Sequence, residues 1–380
     1  MKASRGVNEK EASATAAGSP DFLDGARTVR AGEELDLAKL EPYLLAHIPG
    51  ARGRLEVEQF PSGFSNLTYL LRCGGLELVL RRPPFGNRVK TAHDMGREFF
   101  VLSALHPVYG KAPRPYLYCE DEEVIGAPFY VMERRRGVIL RRTLPPGLFL
   151  PPVIASRLCQ SFVEGLAELH QIDYQKAGLG DLGKKEGYVE RQVRGWIDRY
   201  VGSQTDTWRE FDEAGAWLLD RYPALFPPES AGGALLHNDY KHDNLLLDPH
   251  DLTRIVGLLD WEMCTVGEPL LDLGTTLAYW VEAGDEPALR AQAFGPTALP
   301  GSLTRAQLAE RYGEQTGADL SGKRLVFAYV FGTYKLGVIV QQIYSRFVKG
   351  HTRDPRFAQL NQLVGMLGRV GAAAIGRGSI

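Results

Sequence analysis

Eight consecutive residues, from His237 to Asn244, contain two histidines, two aspartates and two asparagines. Leucines precede and follow this polar cluster, and a second apolar run over residues 255–259 ends in Asp260. Polar groups that are buried without a partner cost several kcal/mol. A polar cluster between apolar runs therefore indicates a functional site rather than ordinary core packing.

The order of these residues is typical of phosphoryl transfer. Asp239 follows His237 by two positions, Asn244 follows Asp239 by five, and Asp260 ends the next predicted strand. In that chemistry one carboxylate faces the attacking hydroxyl, while an amide oxygen and a second carboxylate hold Mg²⁺ on the nucleotide phosphates. We therefore predict Asp239 as catalytic base, with Asn244 and Asp260 as metal ligands. The alternative for Asp239 is a turn-capping aspartate, the usual role of this residue in a loop.

Two further residues are predicted to support the loop. His237 stands beside two leucines and is interpreted as a buried hydrogen-bonding residue, and Asp272 begins an apolar segment as the N-terminal acid of a helix. A metal-dependent phosphohydrolase is the rival interpretation, because His-Asp pairs also bind catalytic metals. Its ligands would be His237, Asp239, His242 and Asp243.

The N-terminal part of the chain contains candidates for binding a nucleotide. Arg81 ends an apolar strand and is a candidate for gripping phosphates, with Glu98 on the following helix to hold it; a surface ion pair is the alternative. Met132 and Glu133 precede a predicted linker and would offer backbone groups to an adenine edge. A loop between two strands is predicted to lay N–H groups and hydroxyls over phosphates, and it comprises Ser62, Gly63, Phe64, Ser65 and Asn66.

Composition narrows the function class. The formal charge of −2 gives no support for nucleic-acid binding, and we find no apolar run of about 18–20 residues that would span a membrane. The N-terminus has no apolar segment typical of a secretory signal. The four cysteines are far apart, which favours reduced thiols and a cytoplasmic protein over a disulfide framework.

Periodicity predicts an α+β chain in two parts. Alternating segments predict strands near residues 55–60, 67–73, 76–81, 115–120 and 128–133, with a helix over 91–106 between them. Helical spacing dominates after residue 150. We predict a disordered tail over 1–34, a nucleotide-binding lobe with a small antiparallel sheet and one helix over 35–134, and a larger, mostly helical catalytic lobe over 138–380.

These residues resemble the aminoglycoside phosphotransferase and choline kinase group of protein-kinase-like enzymes. Within it, the chain is most similar to the kinase-like domains found fused to, or near, acyl-CoA dehydrogenases. The resemblance implies a bilobal kinase fold, ATP or GTP as donor, Mg²⁺, and the roles given above to Asp239, Asn244 and Asp260. It spans about residues 35–375, and its segments are 60–66, 78–84, 98, 128–133, 236–244, 257–261, 267–274 and 331–344.

The chain departs from this family in two places. An arginine, either Arg81 or Arg82, stands where the family has a strand lysine, and the phosphate loop has one glycine, Gly63, rather than several. Arginine grips phosphate bidentately. The resemblance therefore leaves open an active kinase and a nucleotide-binding module without turnover, and it does not decide between monomer and homodimer.

The acceptor is predicted from charge. Aminoglycosides are polycations and need carboxylates around them, and the family's C-terminal helices form much of the acceptor pocket. Residues 321–380 have eight more basic than acidic residues, which favours a neutral or anionic hydroxylated acceptor, a class that includes acyl-CoA-like molecules; a solvated basic face is the alternative. The basic residues are Lys323, Arg324, Lys335, Arg346, Lys349, Arg353, Arg356, Arg369 and Arg377.

Overall fold

A computed structural model describes residues 22–61, 66–85, 94–227, 233–352 and 354–380. Four predicted nucleotide-binding residues, from Ser62 to Ser65, lie outside these ranges, as do residues 1–21 of the predicted tail.

An antiparallel sheet of five strands, in the order β1-β2-β3-β5-β4, organises the N-terminal part. The hairpin between β2 and β3 turns at Gly74 and Gly75, whose φ angles of 57° and 86° suit a two-residue turn that other residues rarely adopt. The strands are β1 Glu56–Gln59, β2 Leu67–Cys73, β3 Leu76–Arg82, β4 Pro115–Cys119 and β5 Phe129–Glu133. Each of these strands begins and ends within one residue of the predicted strand.

Among the described residues, three helices accompany this sheet: α1 Leu37–His47, α2 Met95–Leu105 and α3 Glu122–Ile125. Helix α2 is the one predicted over 91–106. Helix α2 begins at the cap Asp94, whose side chain accepts a hydrogen bond from the Arg97 amide. Buried residues of α2, including Glu98, face the strands. The sequence therefore places the carboxylate of Glu98 against the sheet.

Residues 22–34 correct the predicted tail. Arg27 forms an antiparallel bridge with Gln59 of the edge strand β1, and the Tyr69 hydroxyl donates to the Glu33 carbonyl at 2.7 Å. Apolar periodicity is absent from this segment, which is why the sequence pattern did not detect it. Backbone pairing with an open sheet edge needs no particular side chains.

The C-terminal part is mostly helical and carries two small strand pairs, β6 with β9 and β7 with β8. Residues 134–137 connect it to the sheet. Its helices are α4 Pro152–His170, α5 Tyr188–Ser203, α6 Arg209–Leu225, α7 Pro269–Tyr279, α8 Pro287–Arg290, α9 Arg305–Thr316, α10 Gly322–Val348 and α11 Leu360–Arg377. Its strands are β6 Ala234–Leu236, β7 Leu245–Leu247, β8 Ile255–Leu258 and β9 Thr265–Gly267.

Helices α7 and α10 cross in direct backbone contact through two glycines. A Cβ added to Gly274 would lie 1.9 Å from the Ala328 carbonyl oxygen, and one added to Gly332 would lie 2.1 Å from the Gly274 carbonyl oxygen. Only glycine permits such an approach. This crossing brings Asp272 of α7 and Lys335 of α10 close to the same loop.

Helix α10 is long and apolar enough to span a membrane, contrary to the absence of such a run predicted from the sequence. Within the fold, 83% of its most apolar 18-residue window is buried. Core helices of globular proteins share this length and composition, so the helix by itself is weak evidence for a membrane.

Candidate active site

The loop after β6 places the polar cluster, and Asn238 is its most constrained residue. Its φ of 64° lies in the left-handed region, which asparagine tolerates better than most residues. The Asn238 amide donates to Asp272 Oδ1 at 2.9 Å, and its carbonyl accepts from Lys335 Nζ at 2.8 Å. Helix α7 therefore binds the amide of Asn238 and helix α10 binds its carbonyl. Both polar backbone groups of the residue before Asp239 are held in place.

Asp272 is fully buried beneath this loop. Its Oδ2 accepts from the His237 amide at 2.7 Å and lies 3.1 Å from His170 Nε2. Burial alone raises the pKa of Asp272, but the hydrogen bond from His170 and the nearby positive groups outweigh it and hold the pKa below its ordinary value. The structure places Asp272 where the sequence predicts a residue that supports the loop.

His237 joins the loop to the next strand pair. Its Nε2 lies 2.9 Å from the Leu259 carbonyl, to which it donates, and its Nδ1 accepts from the Asp239 amide at 3.3 Å. Burial lowers the pKa of this imidazole below its ordinary value. A neutral His237 that carries its proton on Nε2 hydrogen-bonds both the Leu259 carbonyl and the Asp239 amide. It thereby connects the two segments that contain Asp260 and Asp239, which is the supporting role predicted for it.

Both oxygens of the Asp239 carboxylate are saturated with donors. Oδ1 accepts from Lys241 Nζ at 2.9 Å and from the Tyr279 hydroxyl at 2.8 Å. Oδ2 accepts from Lys241 Nζ at 2.7 Å and from Asn244 Nδ2 at 2.9 Å. Burial alone raises the pKa of Asp239, but the Lys241 ammonium lowers it by more, so the pKa lies below its ordinary value. The carboxylate is therefore ionised, as a base must be.

Lys241 and Tyr279 were missed in the sequence. Lys241 Nζ lies 5.1 Å from the Tyr279 ring centroid and 5.7 Å from that of Phe294, so two aromatic faces flank the ammonium. The position of Lys241, two residues after Asp239, could have predicted their contact, because residues i and i+2 of an extended segment point to the same side. Tyr279 is 40 residues from Asp239 and gave no local signal.

Replacing Lys241 with methionine is expected to raise the pKa of Asp239, because the positive charge that lowers it is removed while the stem is kept. A base must be deprotonated to act, so the acidic limb of the kcat/KM pH profile should move to higher pH. Lys241→Arg, which keeps the charge, is the control and should leave the limb near its wild-type position. An unchanged profile for the methionine variant would show that Lys241 does not set this pKa.

Arg81 occupies the place predicted for the phosphate-gripping cation. Its Nη1 lies 2.5 Å from Glu98 Oε1 and its Nη2 lies 3.2 Å from Asp260 Oδ1. Arg82 is also buried, but its guanidinium donates to the Ile125 carbonyl at 2.9 Å. Alternation along β3 sends the two arginines to opposite faces, so Arg81, not Arg82, faces the site.

Asn244, Asp260 and Asp239 line the same cavity, and their oxygens suit a hard cation. Both Asn244 donors point to Asp239, which leaves its Oδ1 to coordinate. Asp260 has a φ of 68°, and it and Asn238 are the non-glycine residues of positive φ in the described chain. Burial, followed by the charge of Asp260, raises the pKa of Glu262 to about 8. A divalent cation would reduce the electrostatic repulsion between these carboxylates, so the donors fit Mg²⁺.

A cavity of about 290 Å³ contains these groups. Its lining combines apolar and polar side chains. The apolar ones include Phe60, Val79, Met132, Ile139, Leu246 and Leu259, and the polar ones include Arg81, Asn66, Asp239, Lys241, Asn244, Asp260 and Glu262. Asn66, predicted for the phosphate loop, donates to Glu262 Oε2 at 2.9 Å. The cavity thus offers apolar surface for a base and charged groups for phosphates, as nucleotide recognition requires.

The predicted adenine-binding backbone needs one adjustment. The Glu133 amide donates to the Arg114 carbonyl at 2.7 Å and is not available to a ligand. Within the described residues, the next amides, of Arg134 and Arg135, donate to no protein acceptor. Met132 and Glu133 do line the cavity, but the uncommitted N–H groups begin one residue later.

The structure does not support the phosphohydrolase interpretation, because the four residues predicted as metal ligands do not come together around one site. The His242 ring stacks on Phe162, with centroids 4.6 Å apart, and burial lowers its pKa to about 3. It is absent from the cavity lining, and the described residues contain no group of three or more His, Cys, Asp or Glu side chains arranged for a metal. His237, Asp239, His242 and Asp243 therefore do not form a metal centre.

The charge argument about the acceptor also needs correction. None of the basic residues of 321–380 that the structure describes lines the cavity. Lys335 is only 2% exposed and binds the Asn238 carbonyl from beneath the loop. The cavity itself contains both signs of charge, so the basic excess of this segment says nothing about what the cavity binds.

Comparison with known proteins gives a consistent family. The model of the phosphotransferase enzyme family matches residues 56–310. Acyl-CoA dehydrogenase family member 11 of Rattus norvegicus is 34% identical over 324 residues, which cover 84% of this chain and 40% of the relative. The chain spans about two fifths of the length of the first curated relatives it matches.

Solved structures agree on the fold. A Ralstonia eutropha JMP134 protein assigned as an aminoglycoside phosphotransferase has a TM-score of 0.76 and 29% identity, covering 90% of this chain and 99% of that one. Choline kinase from Cryptosporidium parvum Iowa II has a TM-score of 0.61 and 14% identity, covering 90% and 97%. Aminoglycoside phosphotransferase APH(4)-Ia, in ternary complex with AMP-PNP and hygromycin B, has a TM-score of 0.55 and 18% identity, covering 88% and 99%. The predicted bilobal α+β kinase fold is confirmed.

Proposed function

This chain belongs to the phosphotransferase enzyme family, and from that premise we propose that it transfers a phosphoryl group from Mg-ATP or Mg-GTP to a hydroxyl of a small molecule. The observation that carries the proposal is a single cavity lined by Asp239, Asn244, Asp260 and Arg81, in which Arg81 Nη2 lies 3.2 Å from Asp260 Oδ1. A structural neighbour of low identity was solved with a nucleotide analogue and a small hydroxylated molecule together, which supports two ligands meeting in such a site.

Each residue has a role in this proposal. Arg81, held by Glu98, grips the donor phosphates bidentately. Asn244 and Asp260 hold Mg²⁺, which when bound neutralises phosphate charge. Asp239 orients the acceptor hydroxyl and takes its proton, a role typically worth about 10²–10⁴ in rate.

Lys241 must move for Asp239 to act. Four donor contacts occupy the carboxylate, so the acceptor hydroxyl needs one of them to leave. Tyr279 is buried in α7, and Asn244 ends the single 3-10 turn His242–Asn244, whereas the lysine ammonium is carried on a flexible stem. We infer that the incoming phosphate draws Lys241 away from Asp239, which frees a lone pair for the hydroxyl only when the donor is present.

For the acceptor, we infer a hydroxylated acyl thioester rather than an aminoglycoside. The support is the set of curated relatives, whose names describe acyl-CoA dehydrogenases and of which this chain covers about two fifths. A kinase segment within such a protein has a nearby source of acyl thioesters. Buried, unpaired thiols at Cys73, Cys119, Cys159 and Cys264 support a reducing, cytoplasmic compartment for this reaction.

A panel assay tests the function and the acceptor together. The purified chain is incubated with Mg-ATP or Mg-GTP and, separately, hydroxyacyl-CoA, sugars, amino alcohols and kanamycin. We expect nucleoside diphosphate release and a phosphorylated product, identified by mass spectrometry, with a hydroxyacyl thioester and none with kanamycin. Strong kanamycin-dependent turnover would refute the acceptor assignment, and the Asp239→Asn protein is the control for contaminating kinases.

A nucleotide-binding module without turnover is the second candidate. Arg81 Nη2 lies 3.2 Å from Asp260 Oδ1, so the cation that replaces the family's lysine contacts a predicted metal ligand. Such a contact competes with Mg²⁺ for that oxygen. Calorimetric binding of Mg-ATP without any phosphorylated product from the panel would favour this candidate.

A further inference from the structure

Lys335 is a charged side chain inside the core, and the reaction proposed above gives it no role. It lies within helix α10, is 2% exposed, and its ammonium contacts the catalytic loop. An ammonium has three N–H donors, and among the described residues Nζ donates one hydrogen bond, to the Asn238 carbonyl at 2.8 Å. The fold therefore buries this cation with little compensation, and ordinary core packing gives no reason for it.

The charges around Lys335 do not offset the burial of its ammonium. Two carboxylates attract it and two cations repel it, and these groups are Asp272 of α7, Asp239 and Lys241 of the catalytic loop, and Arg199 of α5. The ring of Trp196, also on α5, has its centroid 5.8 Å from Nζ. Burial has the largest effect and lowers the pKa of Lys335 to about 8. The group is still protonated at pH 7, but the fold holds the proton less readily than the unfolded chain does, and such perturbed groups concentrate at functional sites.

The ammonium holds the peptide unit that joins Asn238 to Asp239. The carbonyl of this unit accepts from Lys335 Nζ, and its N–H, which belongs to Asp239, donates to His237 Nδ1 at 3.3 Å. A peptide unit is planar, so the two contacts fix one plane from its two edges. The plane ends at Cα of Asp239, and its orientation therefore sets the direction in which the Asp239 side chain leaves the loop.

This plane needs support because Asn238 has a rarely populated backbone conformation. Its φ is 64°, and residues in such conformations persist only where the surrounding structure holds them. Asp272 binds the amide of Asn238, which belongs to the preceding peptide unit. The following unit turns by rotation about two single bonds, ψ of Asn238 and φ of Asp239. Of the two helices that cross beneath the loop, α10 restrains this second unit, through Lys335.

We propose that Lys335 is a positioning residue for phosphoryl transfer, whose buried ammonium fixes the peptide unit before Asp239 and so directs the carboxylate toward the acceptor hydroxyl. The inference rests on the proposed function, because it takes Asp239 as the base. Lys335 lies outside the matched family region, residues 56–310, and does not line the cavity. It acts through Asp239 and touches neither substrate.

Lys335→Met tests the proposal, because methionine keeps an unbranched stem and removes the charge and its hydrogen bond. With Mg-ATP and the acceptor that gives product in the panel, kcat should fall by about 10- to 100-fold, the effect of a small misplacement of a reacting group. The KM for Mg-ATP should stay within about twofold of the wild type. Lys241 has the largest lowering effect on the pKa of Asp239, so the plateau of the pH profile should drop while its acidic limb stays in place.

Gln341→Met is the matched control. Gln341 lies on the same helix, is fully buried, and donates through Nε2 to the Ser203 carbonyl at the end of α5, at 2.8 Å. The variant therefore also removes a buried donor from a backbone carbonyl, but not from the catalytic loop. It should keep the wild-type kcat and KM. Circular dichroism and urea denaturation establish that both variants are folded under the assay conditions.

The outcomes separate this inference from the proposed function. A wild-type chain that gives no phosphorylated product with any acceptor refutes the function, and the role of Lys335 with it. When the wild type is active, an unchanged kcat in Lys335→Met overturns the positioning role. A shifted acidic limb with an unchanged plateau overturns it too, because Lys335 would then act on the pKa of Asp239 rather than on its direction.

The control and a second variant complete the test. An equal loss of kcat in Gln341→Met overturns the proposal, because the loss would then follow from any damage to the core around α10. If the methionine variant at position 335 is unfolded, Lys335→Gln takes its place under the same expectations. Its side chain is one atom shorter and uncharged, so the hold on the Asn238 carbonyl is again removed or weakened.

Discussion

Replacing Asp239 with asparagine is expected to abolish phosphoryl transfer while leaving nucleotide binding nearly intact. The amide cannot take the acceptor's proton, and the loss of a general base typically lowers the rate by about 10²–10⁴. It also places an amide against the Lys241 ammonium, where the carboxylate was. Donor binding should persist, because Arg81 and the apolar residues that line the cavity are unchanged.

Two measurements on one preparation check this. Nucleoside diphosphate release should fall to background, and calorimetry with Mg-ATP should give an affinity within a few-fold of the wild type. Asp251→Asn changes an exposed aspartate on the nearby β7–β8 hairpin and should behave as the wild type. Full activity in Asp239→Asn would remove the base assignment.

Replacing Asp272 with alanine is expected to lower the free energy of unfolding by about 3–5 kcal/mol, the cost of breaking a buried charge network by removing one partner. The variant leaves the amides of His237 and Asn238 without their acceptor and His170 without its carboxylate. Urea denaturation measures the loss. Asp319→Ala, at a surface position with a 60% exposed side chain, should change the stability by less than about 1 kcal/mol.

The Asp272 effect should depend on pH in one direction. The pKa of this carboxyl is below its ordinary value in the fold, so the unfolded chain binds the proton more readily. The stabilisation by the ionised group is then fully present above the unfolded pKa of about 3.9, and it is lost as pH falls through the lower folded pKa. The stability difference between wild type and variant should therefore shrink in acid. Asp272→Asn should be less damaging than alanine, and an alanine variant as stable as the wild type would contradict the network.

The strands and most helices were predictable because their signals are local. Alternation in residues 67–73 and 76–81, with two glycines between them, determines a hairpin whatever the rest of the chain does. The segment at residues 22–34 was not predictable in this way, since its hydrogen bonds are made by the backbone with a distant sheet edge. The assignment of Arg81 rather than Arg82 needed the strand's register against β5, which pairs Arg81 with Tyr130.

The sequence by itself sufficed to predict phosphoryl transfer, because Asp239 and Asn244 lie within six residues and their types and spacing are typical of that chemistry. Only the tertiary structure decided what surrounds Asp239. Tyr279 reaches it across 40 residues, and Lys335 reaches the preceding Asn238 carbonyl across 97. Lys335 looks like a surface charge in the sequence and is buried, because the glycine crossing of α7 and α10 places it there. Short-range geometry constrains residue types along the chain, whereas contacts between distant segments depend on packing that no local pattern records.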